Sequence, residues 1–199
     1  MILEEFDENR QAIINPEDLV EALPDFPEIV VSCFARETFK RMLADFQHEL
    51  LTSTSMANIE IPIYKVVIKG KAIAVFNSPV GAAACIAILE DLIAFGMKKL
   101  VLFGTCGVLD ETIRETSIIV PHAAIRDEGT SYHYLPASDE IEVNVGLRDF
   151  LLSFLTKNKI SHSTGKVWTT DGIYRETAAK LRKRKEMGVV CVDMECSAV

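Results

Sequence analysis

The sequence predicts an α/β fold, a three-layer α/β/α sandwich around a central mixed, largely parallel sheet. Two observations carry the prediction. Short apolar runs without polar alternation recur along the chain, as expected of strands covered on both faces, and helix candidates separate them. The length of 199 residues, 49% of them hydrophobic, supplies one sizeable core and is short for two ordinary domains. A single domain over residues 1–199 is therefore expected.

The elements follow in order. Before residue 28 the chain is acidic and interrupted by Pro16, Pro24 and Pro27, and residues 1–27 read as an irregular lead-in. Glu28 to Phe34 reads as a short buried strand. Arg36 to Leu51 reads as an amphipathic helix with Phe39, Met42, Leu43, Phe46 and Leu50 on one face. Tyr64–Ile68 and Ala72–Asn77 form a hairpin around Lys69-Gly70-Lys71, and Gly81–Phe95 is an alanine-rich helix closed by Gly96. Leu100–Phe103 is an apolar strand running into Gly104. Ser117–Val120 and Lys166–Thr169 are strands, Leu147–Lys157 is a helix, and Glu176–Met187 is a charged helix before a last strand at Val189–Val192. Ligands of such sheets bind beyond the carboxyl ends of the strands, here Phe34, Asn77, Phe103, Val120, Thr170 and Val192.

Charge and cysteine content narrow the function classes. The net charge is −8, and the only basic block, Lys180 to Lys185, has helical periodicity and reads as a solvated face, so nucleic acid is not an expected partner. The odd number of cysteines, five without paired spacing, suits a reducing compartment. The first 20 residues lack a basic segment followed by an apolar one, and no apolar run spans a membrane. A cytoplasmic protein without membrane contact is expected. His122 and His133 have no partner at metal-ligand spacing, so no metal site is expected.

Chemistry-bearing residues cluster at the strand ends. Gly104-Thr105-Cys106-Gly107 either offers backbone N–H groups and a hydroxyl to an anion or is a tight turn leaving a buried strand. Arg36 either clamps phosphate at a helix start or faces solvent there. Arg126-Asp127-Glu128-Gly129-Thr130-Ser131 is dense in charge and hydroxyls, and fixing a loop is its expected role. Thr169-Thr170-Asp171 with Tyr174-Arg175 combines aromatic surface and polar groups, as recognition of a flat heterocycle requires. The same segment also suits a helix start with Thr170 or Asp171 near the N-cap. In Val192-Asp193-Met194-Glu195, Glu195 can accept hydrogen bonds from vicinal sugar hydroxyls, and Met194 offers the ring an apolar surface.

Taken together, these four motifs resemble the nucleoside phosphorylase family, in the branch of hexameric uridine and purine nucleoside phosphorylases, over roughly residues 28–199. The resemblance implies phosphate held by Arg36, Gly104 and Thr105. It implies ribose held by Met194 and Glu195, and base held by Cys106, Gly107, Thr170, Tyr174 and Arg175, with Glu195 and Arg175 as the catalytic pair. The implied reaction is reversible phosphorolysis of an N-glycosidic bond, on uridine or a broad range of nucleosides, with inorganic phosphate as co-substrate and no cofactor. A homo-oligomer, a dimer or a trimer of dimers, is implied as well. The alternatives are a nucleosidase of the same superfamily, which uses water, and a non-catalytic nucleoside-binding homologue.

The chain departs from the family pattern at three places. Ser32 stands where members usually carry glycine, and Leu102-Phe103 where the hexameric branch often has an arginine. Members also continue through a further helix, strand and closing helix beyond the Met-Glu motif. Without that segment, a missing edge strand and an open pocket wall are expected.

Overall fold

β-Branched and aromatic runs set the two sheets of the protein, which the computed structural model describes over residues 1–114 and 117–199. The chain divides into two compact units, Glu8–Thr105 and Cys106–Val199, the latter including Met1–Asp7.

In the N-terminal unit the strands are β1 (Ile29–Cys33), β2 (His48–Met56), β3 (Ile59–Ile68), β4 (Lys71–Asn77) and β5 (Lys99–Phe103), ordered β2-β3-β4-β1-β5. β1 pairs parallel with both β4 and β5, while β3 pairs antiparallel with β2 and β4. The β3–β4 hairpin closes on Lys69 (φ 51°) and Gly70 (φ 78°), the paired positive angles that a two-residue turn between twisted strands requires. Helix α1 (Pro16–Leu19) is a single turn in the otherwise largely irregular lead-in, whose Phe26 packs on Phe95 at 5.7 Å between ring centres. Helix α2 (Arg36–Ala44) lays Phe39, Met42 and Leu43 against Cys33, Val66 and Val75. Helix α3 (Ala82–Phe95) buries Ala82, Cys85, Ile88 and Leu92, and Gly96 at φ 130° ends it by donating its N–H to Leu92 and Ile93 carbonyls.

The helix expected over residues 36–51 stops at Ala44, and residues 48–56 form β2 instead. Phe46 and Leu50 fit the helical stripe, but the run Thr52-Ser53-Thr54-Ser55 prefers extended backbone, and antiparallel pairing with β3 satisfies it. Tertiary pairing overrides the local period there.

In the C-terminal unit β6 (Gly107–Val108), β7 (Ile118–Asp127), β8 (Glu140–Glu142), β9 (His162–Thr170) and β10 (Val189–Asp193) are ordered β6-β10-β9-β7-β8. β9 lies parallel between β10 and β7, and the outer pairs are antiparallel. Trp168, Ile125, Val189 and Val192 form the core. Helix α4 (Val145–Lys157) is capped by Asn144, whose side chain accepts from the Leu147 N–H at 3.0 Å. Helix α5 (Ala178–Glu186) is capped by the Thr177 hydroxyl, so the cap lies six residues beyond Asp171, where the sequence suggested it. A 3-10 turn, Ile173–Arg175, occupies the intervening stretch. No helix among the described residues is long and apolar enough to cross a membrane.

Gly165 in β9 packs closely against Val190 of β10. A Cβ there meets Val190 Cγ2 at 2.3 Å and Cγ1 at 2.6 Å. Gly165→Ala is expected to destabilise the fold by ~1–3 kcal/mol through overpacking, read by chemical denaturation, and Val190→Ala in the same chain to restore most of the loss. Equal stability of G165A and the parent chain contradicts this packing.

Candidate functional site

The parallel registers bring strand ends together within each unit. In the C-terminal unit Asp193 aligns with Thr169 and Thr170 with Asp127, so β10, β9 and β7 release their chains at one edge of the sheet. Three short segments leave that edge, and a buried polar network ties them to one another.

The turn after β10 carries Met194 and Glu195, with Glu195 only 6% exposed. Asp193 braces it. Its carboxylate accepts from the Thr169 hydroxyl at 2.8 Å and from the Cys196 N–H at 2.9 Å. Thr169 Oγ1 in turn accepts from the Ser197 N–H at 3.0 Å, and the Ser197 hydroxyl donates to Glu128 at 2.9 Å. Burial holds the Asp193 carboxyl above the usual carboxylate range, despite the hydrogen bonds from Thr169 and the Cys196 amide that pull it down.

The segment after β7 is fixed by Glu128, which is 5% exposed and accepts from both the N–H (2.9 Å) and the hydroxyl of Ser131. Arg126 donates from Nε to Ser131 Oγ at 2.8 Å, and its terminal nitrogens reach the Pro136 carbonyl, Ser138 Oγ and the Leu135 carbonyl at 2.7, 2.9 and 3.3 Å. Its guanidinium lies 4.0 Å from the Tyr132 ring centre. With these donors committed to one loop, Arg126 organises the segment, as its sequence context suggested.

Asp127, between these two residues, serves a second cluster. It accepts from Trp168 Nε1 and Lys180 Nζ, each at 2.9 Å, with Arg184 at 3.6 Å. Lys180 and Arg184, one helical turn apart, also lie 5.9 and 5.6 Å from the Trp168 ring centre. The basic run on α5 is therefore not wholly a solvated face. Two of its cations secure the helix to the end of β7.

The site residues expected from the sequence divide between the units. Arg36, Gly104 and Thr105 belong to the N-terminal unit, where β1 and β5 are parallel neighbours with Cys33 aligned to Phe103. The chain passes close to the Phe34 ring there, which a Cβ on Gly104 would meet at 2.7 Å. Asn77 Nδ2 donates to the Cys33 and Phe34 carbonyls at 2.6 and 3.0 Å and fixes the β1 end. Ser32 is buried and donates to the Phe76 carbonyl at 2.9 Å. The exposed Arg36 side chain opens α2 and has Glu37 at 3.7 Å as its charged neighbour.

Cys106, Gly107, Thr170, Tyr174, Arg175, Met194 and Glu195 belong to the C-terminal unit. Gly107 pairs with Val192, whose Cγ1 a Cβ on Gly107 meets at 2.9 Å. Thr170 is buried and accepts from the Gly172 N–H at 3.2 Å. Tyr174, 94% exposed, and Arg175 stand on the 3-10 turn in solvent. Sequence reasoning missed the bracing roles of Thr169, Asp193, Glu128 and Ser197. Their alignment depends on strand register, which no local spacing reveals.

A family model described as the phosphorylase superfamily matches residues 28–199. The chain is also similar to DeoD-type purine nucleoside phosphorylases of Bacillus cereus and Bacillus thuringiensis. Each is 27% identical over 133 residues, covering 66% of this chain and 57% of the relative. The chain thus spans little more than half the length of these relatives. Two solved structures share its fold. Uridine phosphorylase from Vibrio fischeri superposes with a TM-score of 0.78 at 23% identity, covering 90% of this chain and 77% of that one. Purine nucleoside phosphorylase from Toxoplasma gondii in complex with immucillin-H superposes at 0.77 and 21%, covering 90% and 75%. These likenesses bear out the α/β architecture expected from the sequence.

The Asp127 cluster has a pH signature. Burial raises the Asp127 carboxyl, but the hydrogen bonds from Lys180 and Trp168 and the Lys180 and Arg184 charges together hold it below the usual carboxylate range. A depressed carboxylate stabilises the fold at neutral pH and loses that contribution as pH falls through its folded pKa. Asp127→Asn is expected to lower the melting temperature at neutral pH, with the difference from the parent chain shrinking as the solution is acidified. A difference independent of pH contradicts the ion-pair account.

Proposed function

Because the chain belongs to the phosphorylase superfamily, we propose that it is a nucleoside phosphorylase, a pentosyltransferase that transfers ribose from a nucleoside base to inorganic phosphate. The observation that carries the proposal is the braced turn after β10, which presents a buried Glu195 at a sheet edge where β7 and β9 also end. A carboxylate carried on a turn held in that way can accept from two vicinal ribose hydroxyls, and Met194 beside it offers the sugar an apolar surface.

The proposed roles follow residue by residue. Arg36 and the Gly104-Thr105 backbone and hydroxyl bind phosphate. Glu195 and Met194 bind ribose. Cys106, Gly107, Thr170 and Tyr174 surround the base, and Arg175, whose guanidinium makes no side-chain hydrogen bond to a described residue, donates to a base carbonyl. As the C1′–N bond lengthens, the sugar acquires oxocarbenium character. Phosphate charge on one face and a hydrogen bond to the departing base lower that barrier, with no cofactor needed.

A carbonyl-binding arginine favours uridine or a broad range of nucleosides. The relatives named as purine nucleoside phosphorylases make inosine and adenosine the comparison substrates. A homo-oligomer, dimer or trimer of dimers, is supported by exposed Leu147, Phe150, Leu151 and Phe154 along one side of α4. The five cysteines, all free of disulfides, suit a cytoplasmic enzyme.

The test is base release from uridine, inosine and adenosine with and without phosphate. Release that saturates with phosphate, falls by about 10²-fold in kcat/KM for Glu195→Gln, and needs about tenfold more phosphate for Arg36→Ala is the expected result. Release independent of phosphate assigns a nucleosidase. Nucleoside binding without release assigns a binding homologue.

A further inference from the structure

Three of the five cysteines fall in the C-terminal unit around one strand pair. Cys106 precedes β6, Cys191 lies within β10, and Cys196 lies in the turn beyond it. The antiparallel register aligns Val108 with Cys191 and Gly107 with Val192. Carried one residue further, it sets Cys106 opposite Asp193, so Cys106 and Cys191 are diagonal neighbours on one face of the pair. Diagonal neighbours have Cα atoms roughly 7–8 Å apart, within mutual reach of their side chains. The two thiols interact across the strand pair.

Their environments differ. Cys106 is half-buried, and Cys191 is buried. The interaction with Cys191 brings the Cys106 thiol down to about 7, against burial and the Asp193 charge, which push it up. The same interaction, followed by burial, pushes Cys191 up. Burial pushes Cys196 up as well, with Asp193 and Glu195 adding to it, so Cys196 stays protonated. A partly accessible thiol with thiolate character beside a buried, protonated one is the arrangement of an attacking and a resolving cysteine.

We propose that Cys106 and Cys191 form a dithiol oxidation site that a small hydroperoxide converts to a reversible disulfide. The Cys106 thiolate attacks a peroxide oxygen, the O–O bond breaks, and Cys106 sulfenic acid forms while the departing oxygen takes a proton. The Cys191 sulfur then attacks the sulfenyl sulfur. The S–S bond forms, and hydroxide leaves as water with the proton from Cys191. Two thiols lose two electrons and two protons in all, and hydrogen peroxide accepts them as two waters.

A disulfide requires Cα atoms ~4.4–6.8 Å apart, closer than a diagonal pair supplies, so closure draws Cys106 toward β10.

The experiment treats the reduced full chain with stoichiometric hydrogen peroxide at neutral pH, then counts thiols and maps peptides without reductant. The expected result is two fewer free thiols than the original five, a cross-linked peptide containing Cys106 and Cys191, and full reversal by dithiothreitol. Cys191→Ser is expected to lose the cross-link and accumulate a Cys106 sulfenic acid that dimedone traps. Cys106→Ser is expected to keep its remaining thiols at the same dose. A parent chain that retains all its thiols, cross-links Cys196 instead, or oxidises no faster than C106S overturns the proposal. The mapping of the parent chain decides this even where a variant fails to fold or no turnover is found.

Discussion

Glu128 is buried, and among the described residues no cation pairs with it directly, so the segments around it supply its partners. A carboxylate removed from water is costly unless its oxygens are hydrogen-bonded. Here the donors are the Ser131 N–H and hydroxyl, one turn along the same segment, and the Ser197 hydroxyl, which comes from the turn after β10. The positive charge of Arg126 reaches the cluster through Ser131 Oγ. One side chain thereby joins the end of β7 to the segment that carries Glu195. Asp193 and Thr169 make the complementary tie between β10 and β9. Glu195 lies between two braced positions, Asp193 and Ser197, and inherits their rigidity.

This arrangement separates residues that hold the site from residues that can meet a ligand. Arg126, Glu128, Asp127 and Asp193 are ionisable and sit at strand ends, yet their hydrogen bonds go to neighbouring protein groups. Lys180 and Arg184 are committed to Asp127 and the Trp168 face. Arg175 and Tyr174, on an exposed turn, remain available. Preorganisation of this kind places the energetic cost of ordering in the fold, so that a ligand meets groups already positioned.

Much of the fold was legible in the sequence because its cues are local. Continuous apolar runs marked β1, β5 and β10, Gly96 marked the end of α3, and Lys69-Gly70 marked the hairpin. Residues 48–56 misled because Phe46 and Leu50 continue a helical stripe whose end is set by pairing with β3. Strand ends rich in glycine and hydroxyls directed attention to Thr170, Met194 and Glu195. What brings Glu128 to Ser197, or Asp127 to Lys180, is register across strands and packing of α5, separations of 69 and 53 residues that no motif encodes. The role of Ser32 likewise comes from a distant partner, the Phe76 carbonyl on β4, to which its hydroxyl donates.

The central claim is that the braced Glu195 carboxylate reads the vicinal hydroxyls of a ribose. Calorimetric titration of the parent chain and of Glu195→Gln with a ribonucleoside and its 2′-deoxy counterpart tests it most directly. The account predicts that the parent chain binds the deoxy ligand at least about tenfold more weakly, and that this discrimination collapses in E195Q. Equal discrimination in both proteins contradicts it, and places recognition of the sugar elsewhere.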